Sequence, residues 1–563
     1  MSDIYELEFK KYNHFWMDSG LIGFYTIAKK VIEEEFDKVE FSQRENNLFI
    51  HGEKEVVEVF LHKCMHMVLE KYYNISTKKQ IEEKAGFYYD TKAEKFERFS
   101  KVKTQGIANI IFSKAPRPTQ RSAKYNKKDG LITDPEFSYL SDHLQKFLEE
   151  NKLKLEAANL LIDGKNMVQP KYEIELKEKS NSDSCFICGT QDKKLLQLKG
   201  TAFPLITGDS GVKSFFSHGG KAEKVCWQCD YISRFVPVHG YYKTLHGGGL
   251  LTFFPISNSL DKLMSMIKNL KGAEHKDDNY YRNYEDLLGG YYQKGYESSF
   301  SFFYTLYYKM LNIKEEEKAE DLDDSLLDNN FKNNLKTYIS NDSVYFHIFE
   351  VVKLGDSYIG KMNWPYNDTI YIFRLLEQLH IIKKCNIRKA MYQIVDWENS
   401  KNDNKTIVRN RVCERILKKA KIMDIVEPFL FTMNKSKRHY FNDLFKFVME
   451  YENLIDGGNS VMDANARQLA VKLGHVIGHA ITNETRGSGK GDLFKLRKTR
   501  TIPDFLEEVN RLQFRYGLSL SKEIYDGVIT VSNFKEFKQY VMISALNTFN
   551  YRSSKNEKSG GQE

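Results

Sequence analysis

The residues best suited to chemistry in this chain are four cysteines in two pairs, Cys185-Phe186-Ile187-Cys188 and Cys226-Trp227-Gln228-Cys229. Two thiolates separated by two residues can grip one ion from a tight turn, and two such turns complete a tetrahedron. Thiolate ligands select zinc over magnesium or calcium. Four of them leave no open position for a substrate, so the expected Zn2+ is structural. Gly189, directly after the first pair, can take a positive φ and aim backbone N–H groups at sulfur. The 37 residues between Cys188 and Cys226 exceed the spacing of common zinc ribbons. Closure entropy grows only slowly with loop length, so this insertion does not forbid the site. A redox reading, two thiol–disulfide pairs, lacks an obvious strand-to-helix context. A degenerate site without metal is the third reading. Cys64, Cys385 and Cys413 fall at no motif spacing, and the odd total of seven argues against a disulfide framework and for a reducing cytoplasm.

Basic residues form a second group. Lys114, Arg117, Arg121, Lys124, Lys127 and Lys128 occur with no acid until Asp129, interleaved with Gln120, Ser122 and Tyr125 and broken by Pro116 and Pro118. Such a loop suits phosphate contacts, and Arg or Gln can reach base edges. Residues 401–421 carry eight basic and two acidic residues. There Arg411, Arg415 and Lys418 or Lys419 recur at helical spacing. Between 486 and 500, Arg486, Lys490, Lys495, Arg497, Lys498 and Arg500 stand against Asp492 alone. This stretch is not a phosphate-binding P-loop: Glu484 replaces the first glycine, and Gly491 follows Lys490 where Ser or Thr is needed. Each run alone reads as a solvated face; three runs together suggest a path for a polyanion. The net charge of +8 is modest for this length and leaves the weight on distribution.

Other candidates are weaker. His475 and His479 share a helix face, but a metalloprotease needs Glu where this chain has Val476. With Gly474 and Gly478 on the same face, packed histidines beside a close helix contact are expected. Gly289-Gly290 lacks the paired aspartates of a palm-type polymerase. No nucleophile elbow or triad is evident.

The elements that must position these groups read as α+β. A mixed N-terminal region spans 1–180, with a short strand at 47–51 and an amphipathic helix from Val56 to Tyr73. Lys171–Leu176 alternates as a half-buried strand. A zinc-binding lobe, 181–235, is inserted there. Residues 236–330 continue the N-terminal region, with a strand at 250–254 and an acidic linker at 315–328. A helical domain at 331–455 and a helical bundle at 456–563 follow, the end from Arg552 fraying. No signal peptide or membrane span is read.

The ordered combination resembles the CXXC–CXXC family of large subunits of type I-B CRISPR effector complexes (Cascade). The resemblance rests on the cysteine pairs, on Phe15-Trp16-Met17-Asp18-Ser19-Gly20-Leu21-Ile22-Gly23, on Lys114-Ala115-Pro116-Arg117-Pro118, and on Gly474–Ile477 with Arg497–Phe514. It implies a non-catalytic, cytoplasmic subunit of a crRNA-guided complex. Such a subunit helps to recognise the protospacer-adjacent motif in double-stranded DNA and to open the duplex near the crRNA 5′ handle. The implied partners are crRNA, target DNA, the handle-binding and backbone subunits, and a helicase–nuclease recruited later. A small subunit made from an internal start, at Met449 or Met462, is also expected. The rival readings are a zinc-stabilised nuclease and an interaction protein whose basic faces bind acidic partners.

Overall fold

The computed structural model describes residues 4–35, 38–72, 86–98, 121–126, 128–155, 159–163, 174, 176, 183–191, 193–197, 224–245, 249–269, 284, 286–290, 292–310, 344–354, 357–399, 401–433, 441–456, 462–484 and 490–559. The chain divides into two units, Met1–Glu285 with Lys336–Thr369, and Asp286–Leu335 with Ile370–Glu563. The mixed α+β class, with a four-cysteine cluster and a helical C-terminal region, is as expected.

The first unit opens with β1 (Ile4–Phe9), α1 (Phe15–Glu35), β2 (Glu40–Arg44), β3 (Asn47–Glu53) and α2 (Lys54–Tyr72). The strands pair antiparallel in the order β1-β3-β2, so the unit runs β-α-β-β-α. Alternation in β3 buries Leu48 and Ile50. α2 buries Val57, Phe60, Cys64 and Val68, the stripe its spacing announces. A second sheet has the order β5-β4-β7-β6. It comprises β4 (Phe87–Asp90), β5 (Lys95–Arg98), β6 (Arg121–Lys124) and β7 (Asn159–Ile162), with Leu144 of α3 (Ser141–Glu150) in its core.

A ribbon of β8 (Leu195–Gln197) and β9 (Lys224–Cys226) leads into α4 (Trp227–Ser233) and α5 (Val236–His239). β10 (Tyr241–Thr244) and β11 (Leu250–Ile256) follow, then α6 (Leu260–Asn269). β12 (Tyr345–Leu354) and β13 (Ser357–Tyr366) complete an antiparallel sheet in the order β10-β11-β12-β13. All seven residues of β11 are buried, as suits a central strand. Residues 345–366 thus correct the expectation of a helical domain over 331–455: they form a hairpin of the N-terminal unit. β11 pairs with β12 over seven residues, from Leu250 with Val351 to Ile256 with Tyr345. That non-local ladder satisfies backbone groups which local pattern cannot assign.

The second unit contains α7 (Gly295–Met310) and is entered again by α8 (Thr369–Leu376), which continues as a π-helical segment, Glu377–Ile382. Then come α9 (Ile387–Gln393), α10 (Ile407–Leu417), α11 (Met423–Met433), α12 (Asn442–Asp456), α13 (Ala464–Glu484), α14 (Lys490–Lys498), α15 (Ile502–Tyr516) and α16 (Phe534–Ser559). α7 is tied to α10 by charge. Glu297 caps α7 by accepting from the Gln293 and Lys294 backbone N–H groups at 2.6 and 2.9 Å, and Arg409 Nε donates to it at 2.7 Å. The Arg409 guanidinium also covers the Tyr292 ring. α16 is buried continuously from Val541 to Asn550, and α11, α12, α13 and α14 pack around it. It runs on to Ser559, so the frayed tail expected from Arg552 is mostly helix. The acidic stretch at 315–328 lies outside the described residues, as does the strand at 171–176 apart from Ile174 and Leu176. Among the described residues no helix is long and apolar enough to cross a membrane.

Candidate metal centre

The first cysteine pair sits in a turn that its own backbone closes. Gly189 takes φ +74° and its N–H donates to the Cys185 carbonyl at 2.8 Å, while Cys185 N–H donates to Thr190 O. An L side chain rarely adopts that φ, which is the reason for glycine there. The second pair straddles the junction of β9 and α4, Cys226 ending the strand and Cys229 lying in the first turn of the helix, which corrects the expectation that neither pair has a strand-to-helix context. Two backbone bonds bring the halves together, Phe186 N–H to Lys224 O at 2.9 Å and Trp227 N–H to Lys194 O at 3.1 Å.

The four sulfurs all lie within 4.8 Å of one another, with Cys188 Sγ and Cys226 Sγ 3.6 Å apart. A tetrahedral ion with metal–sulfur bonds of about 2.3 Å needs sulfurs about 3.8 Å apart, so the set is of the right size for one metal. At 3.6 Å the pair is far beyond disulfide bonding, and all seven cysteines are free thiols. Cys185, Cys226 and Cys229 are buried and Cys188 is half-buried. Among the described residues no other group of His, Cys, Asp or Glu side chains is placed to share an ion.

The surroundings are those of anionic sulfur. Cys226 N–H donates to Cys185 Sγ at 3.2 Å, and the Tyr12 hydroxyl hydrogen-bonds Cys188. Hydrogen bonds from Cys188, Cys226 and Cys229 push the Cys185 thiol well down; Cys185 and Cys188 in turn push Cys226 and Cys229 well up. A bound cation is what allows all four thiols to ionise together.

Helix α1 seats the lobe. A Cβ on Gly20 would lie 2.3 Å from Ile232 O, and one on Gly23 would lie 2.0 Å from Phe235 O, so α1 touches the backbone around α4 directly. Buried Asp18 accepts from Tyr12 N–H at 3.0 Å and pairs with Lys11 at 3.1 Å, which fixes the loop that carries Tyr12. Gln228 Nε2 donates to Glu8 O, joining α4 to β1. The Phe15–Gly23 segment is therefore the bed of the cysteine lobe. Sequence reasoning missed the parts of Tyr12 and Asp18; the acid three residues before the apolar run that starts at Leu21 was the available signal.

The predicted basic residues fare unevenly. Lys114, Arg117, Gln120 and Lys127 lie outside the described residues. Arg121 begins β6, Lys124 ends it exposed, and Lys128 is exposed in the following turn. On α10, Arg411 is exposed, whereas Arg415 pairs with Asp424 at 3.6 Å. Lys490 starts α14; Lys495, Lys498 and Arg500 are exposed. Arg497 turns inward: it donates to Glu427 at 2.6 and 3.1 Å and lies over the Phe431 ring, a packing role. His475 is exposed and meets Thr548 Oγ1 at 3.1 Å across the α13–α16 contact. Comparison with protein-family models and with curated proteins finds no match to the chain.

Proposed function

We propose that the chain is a non-catalytic subunit that binds nucleic acid, and that its four cysteines close a structural zinc site. On the resemblance given above, it is the large subunit of a type I-B crRNA-guided DNA surveillance complex in the cytoplasm. The observation that carries this reading is the all-sulfur set within 4.8 Å, spaced for one tetrahedral ion. Four thiolates saturate zinc, so the metal holds a lobe together and offers no position for a substrate. Support for the nucleic-acid part comes from exposed cations: Lys124 and Lys128 in the first unit, and Arg411, Lys495, Lys498 and Arg500 in the second. The partners are then crRNA, the target duplex and its protospacer-adjacent motif, the handle-binding and backbone subunits, and a later helicase–nuclease. For an internally started small subunit, Met462 falls between α12 and α13, whereas Met449 would cut α12.

Two measurements test the reading. Metal analysis should find one zinc per chain, lost in Cys185→Ser together with protection of the lobe from proteolysis. RNA sequenced from the natively purified protein should carry one common 5′ handle. Random RNA, or metal-dependent DNA cleavage by the chain alone, would overturn the proposal in favour of a general binder or a nuclease.

A further inference from the structure

The second unit bears an aromatic and basic surface that none of the sequence expectations included. α9 buries Ile387, Ala390 and Met391 and turns Arg388, Lys389 and Tyr392 to solvent. Positions 388 and 392 are one turn apart and share a helix face. The turn after α9 brings Trp397 beside Tyr392, with ring centroids 4.8 Å apart and planes at 36°. Both rings remain open: Tyr392 is 56% exposed and Trp397 41%. Lys384, also exposed, precedes the helix, and Lys446 of α12 joins it, its Nζ 3.1 Å from Lys384 O. From Lys383 to Lys389 there are four cations and no acid; Lys383 pairs with Glu450 at 3.2 Å, and Asp396 and Glu398 flank Trp397, so the cations lie on the α9 side of the ring pair.

We propose that this surface binds a single strand of nucleic acid. A base stacks on the Tyr392–Trp397 pair, and neighbouring phosphates meet Lys384, Arg388, Lys389 and Lys446. Charge and shape both point to that occupant. The cations call for a polyanion, and two exposed planar rings call for a planar partner, which an unpaired base supplies irrespective of its identity. A duplex hides its base faces, and an acidic peptide offers charge without planes. The inference rests on the nucleic-acid reading above and deepens it by naming the strand state and the residues.

The test uses the full chain and fluorescein-labelled oligo(dT), titrated by anisotropy over a range of salt. Tyr392→Leu with Trp397→Leu should weaken binding by about 5- to 100-fold and leave the salt slope unchanged. Lys384→Ala with Arg388→Ala and Lys389→Ala should lower that slope by about 2. Trp397→Phe, which keeps a ring, should bind almost normally yet lose the quenching of tryptophan fluorescence that stacking causes. If the wild-type chain binds oligo(dT) and the double leucine variant binds equally well, this site is wrong while the functional reading stands. If the wild type binds no nucleic acid, both fall. If oligo-glutamate binds with the same dependence on Tyr392 and Trp397, the surface takes acidic peptides and the proposal is overturned.

Discussion

Alanine at Gly474 sets two effects of opposite sign against each other. Glycine inside a helix costs roughly 1 kcal/mol relative to alanine, so propensity alone predicts that Gly474→Ala stabilises α13. Packing predicts the reverse. The new Cβ would lie 2.3 Å from Val541 O and 2.7 Å from Ser544 Cβ, about 1.1 Å short of the 3.4 Å at which ordinary contact begins. The obstructing atom is a backbone carbonyl of α16, which cannot rotate aside, so the two helices must separate. Overpacking of this kind costs about 1–3 kcal/mol, and a shift of a whole helix belongs at the upper end. Subtracting the propensity gain leaves a net loss of about 1–2 kcal/mol. Gly478→Ala meets Ala545 O at 2.3 Å and should behave alike. The double variant should cost less than the two singles added, because one displacement relieves both clashes. Gly491→Ala is the control, since its Cβ would meet nothing within 4 Å. Hydrogen exchange of α13 and α16 peptides reads the effect locally: a loss of about 1–2 kcal/mol speeds exchange about 5- to 30-fold. If Gly474→Ala slows exchange in α13, as propensity alone predicts, the close contact of α13 with α16 is refuted.

Two further perturbations probe buried charge. Arg409 and Glu297 have side chains 1% and 0% exposed. Arg409→Met strands a carboxylate and should cost about 3–5 kcal/mol, part of it recovered by adding Glu297→Gln. A denaturation double-mutant cycle checks this, and a loss below about 1 kcal/mol would contradict the pairing. Buried His239 has neither ring nitrogen hydrogen-bonded among the described residues, and burial lowers its pKa to about 3 from 6.5. The unfolded chain therefore takes up a proton near pH 6.5 that the folded chain refuses until about pH 3. Its contribution is whole above pH 6.5 and falls by up to about 1.4 kcal/mol per pH unit below it. Denaturation midpoints of His239→Leu should lose that slope; an unchanged slope would assign it to other groups.

What sequence could and could not reveal follows from the range of each interaction. Helix α2 and the bundle helices announce themselves because their apolar stripes are local and periodic. The cysteine pairs are legible because metal-ligand spacing is local within each half. Gly474 and Gly478 signalled a close helix contact correctly, though not its partner. By contrast, β12 pairs with β11 across about ninety residues of sequence, and its aromatic run carries no period that separates strand from buried helix. Arg409 and Arg497 looked like members of basic stretches. Their pairing roles depend on Glu297 and Glu427, whose distance along the chain hides them. The Tyr392–Trp397 pair was missed because exposure of an aromatic is a property of tertiary structure.

The position of α16 bears on how the chain is made. Its ten residues from Val541 to Asn550 lie at the centre of the bundle, and they leave the ribosome after every helix that packs on them. α11 to α14 emerge first, with their apolar faces waiting for a helix not yet translated. Order of synthesis and order of burial run in opposite directions. A polypeptide that stalls before Phe534 has nothing to close around and exposes those faces to proteases and chaperones. Translation through α16 is thus built into the fold as a condition for the bundle to exist.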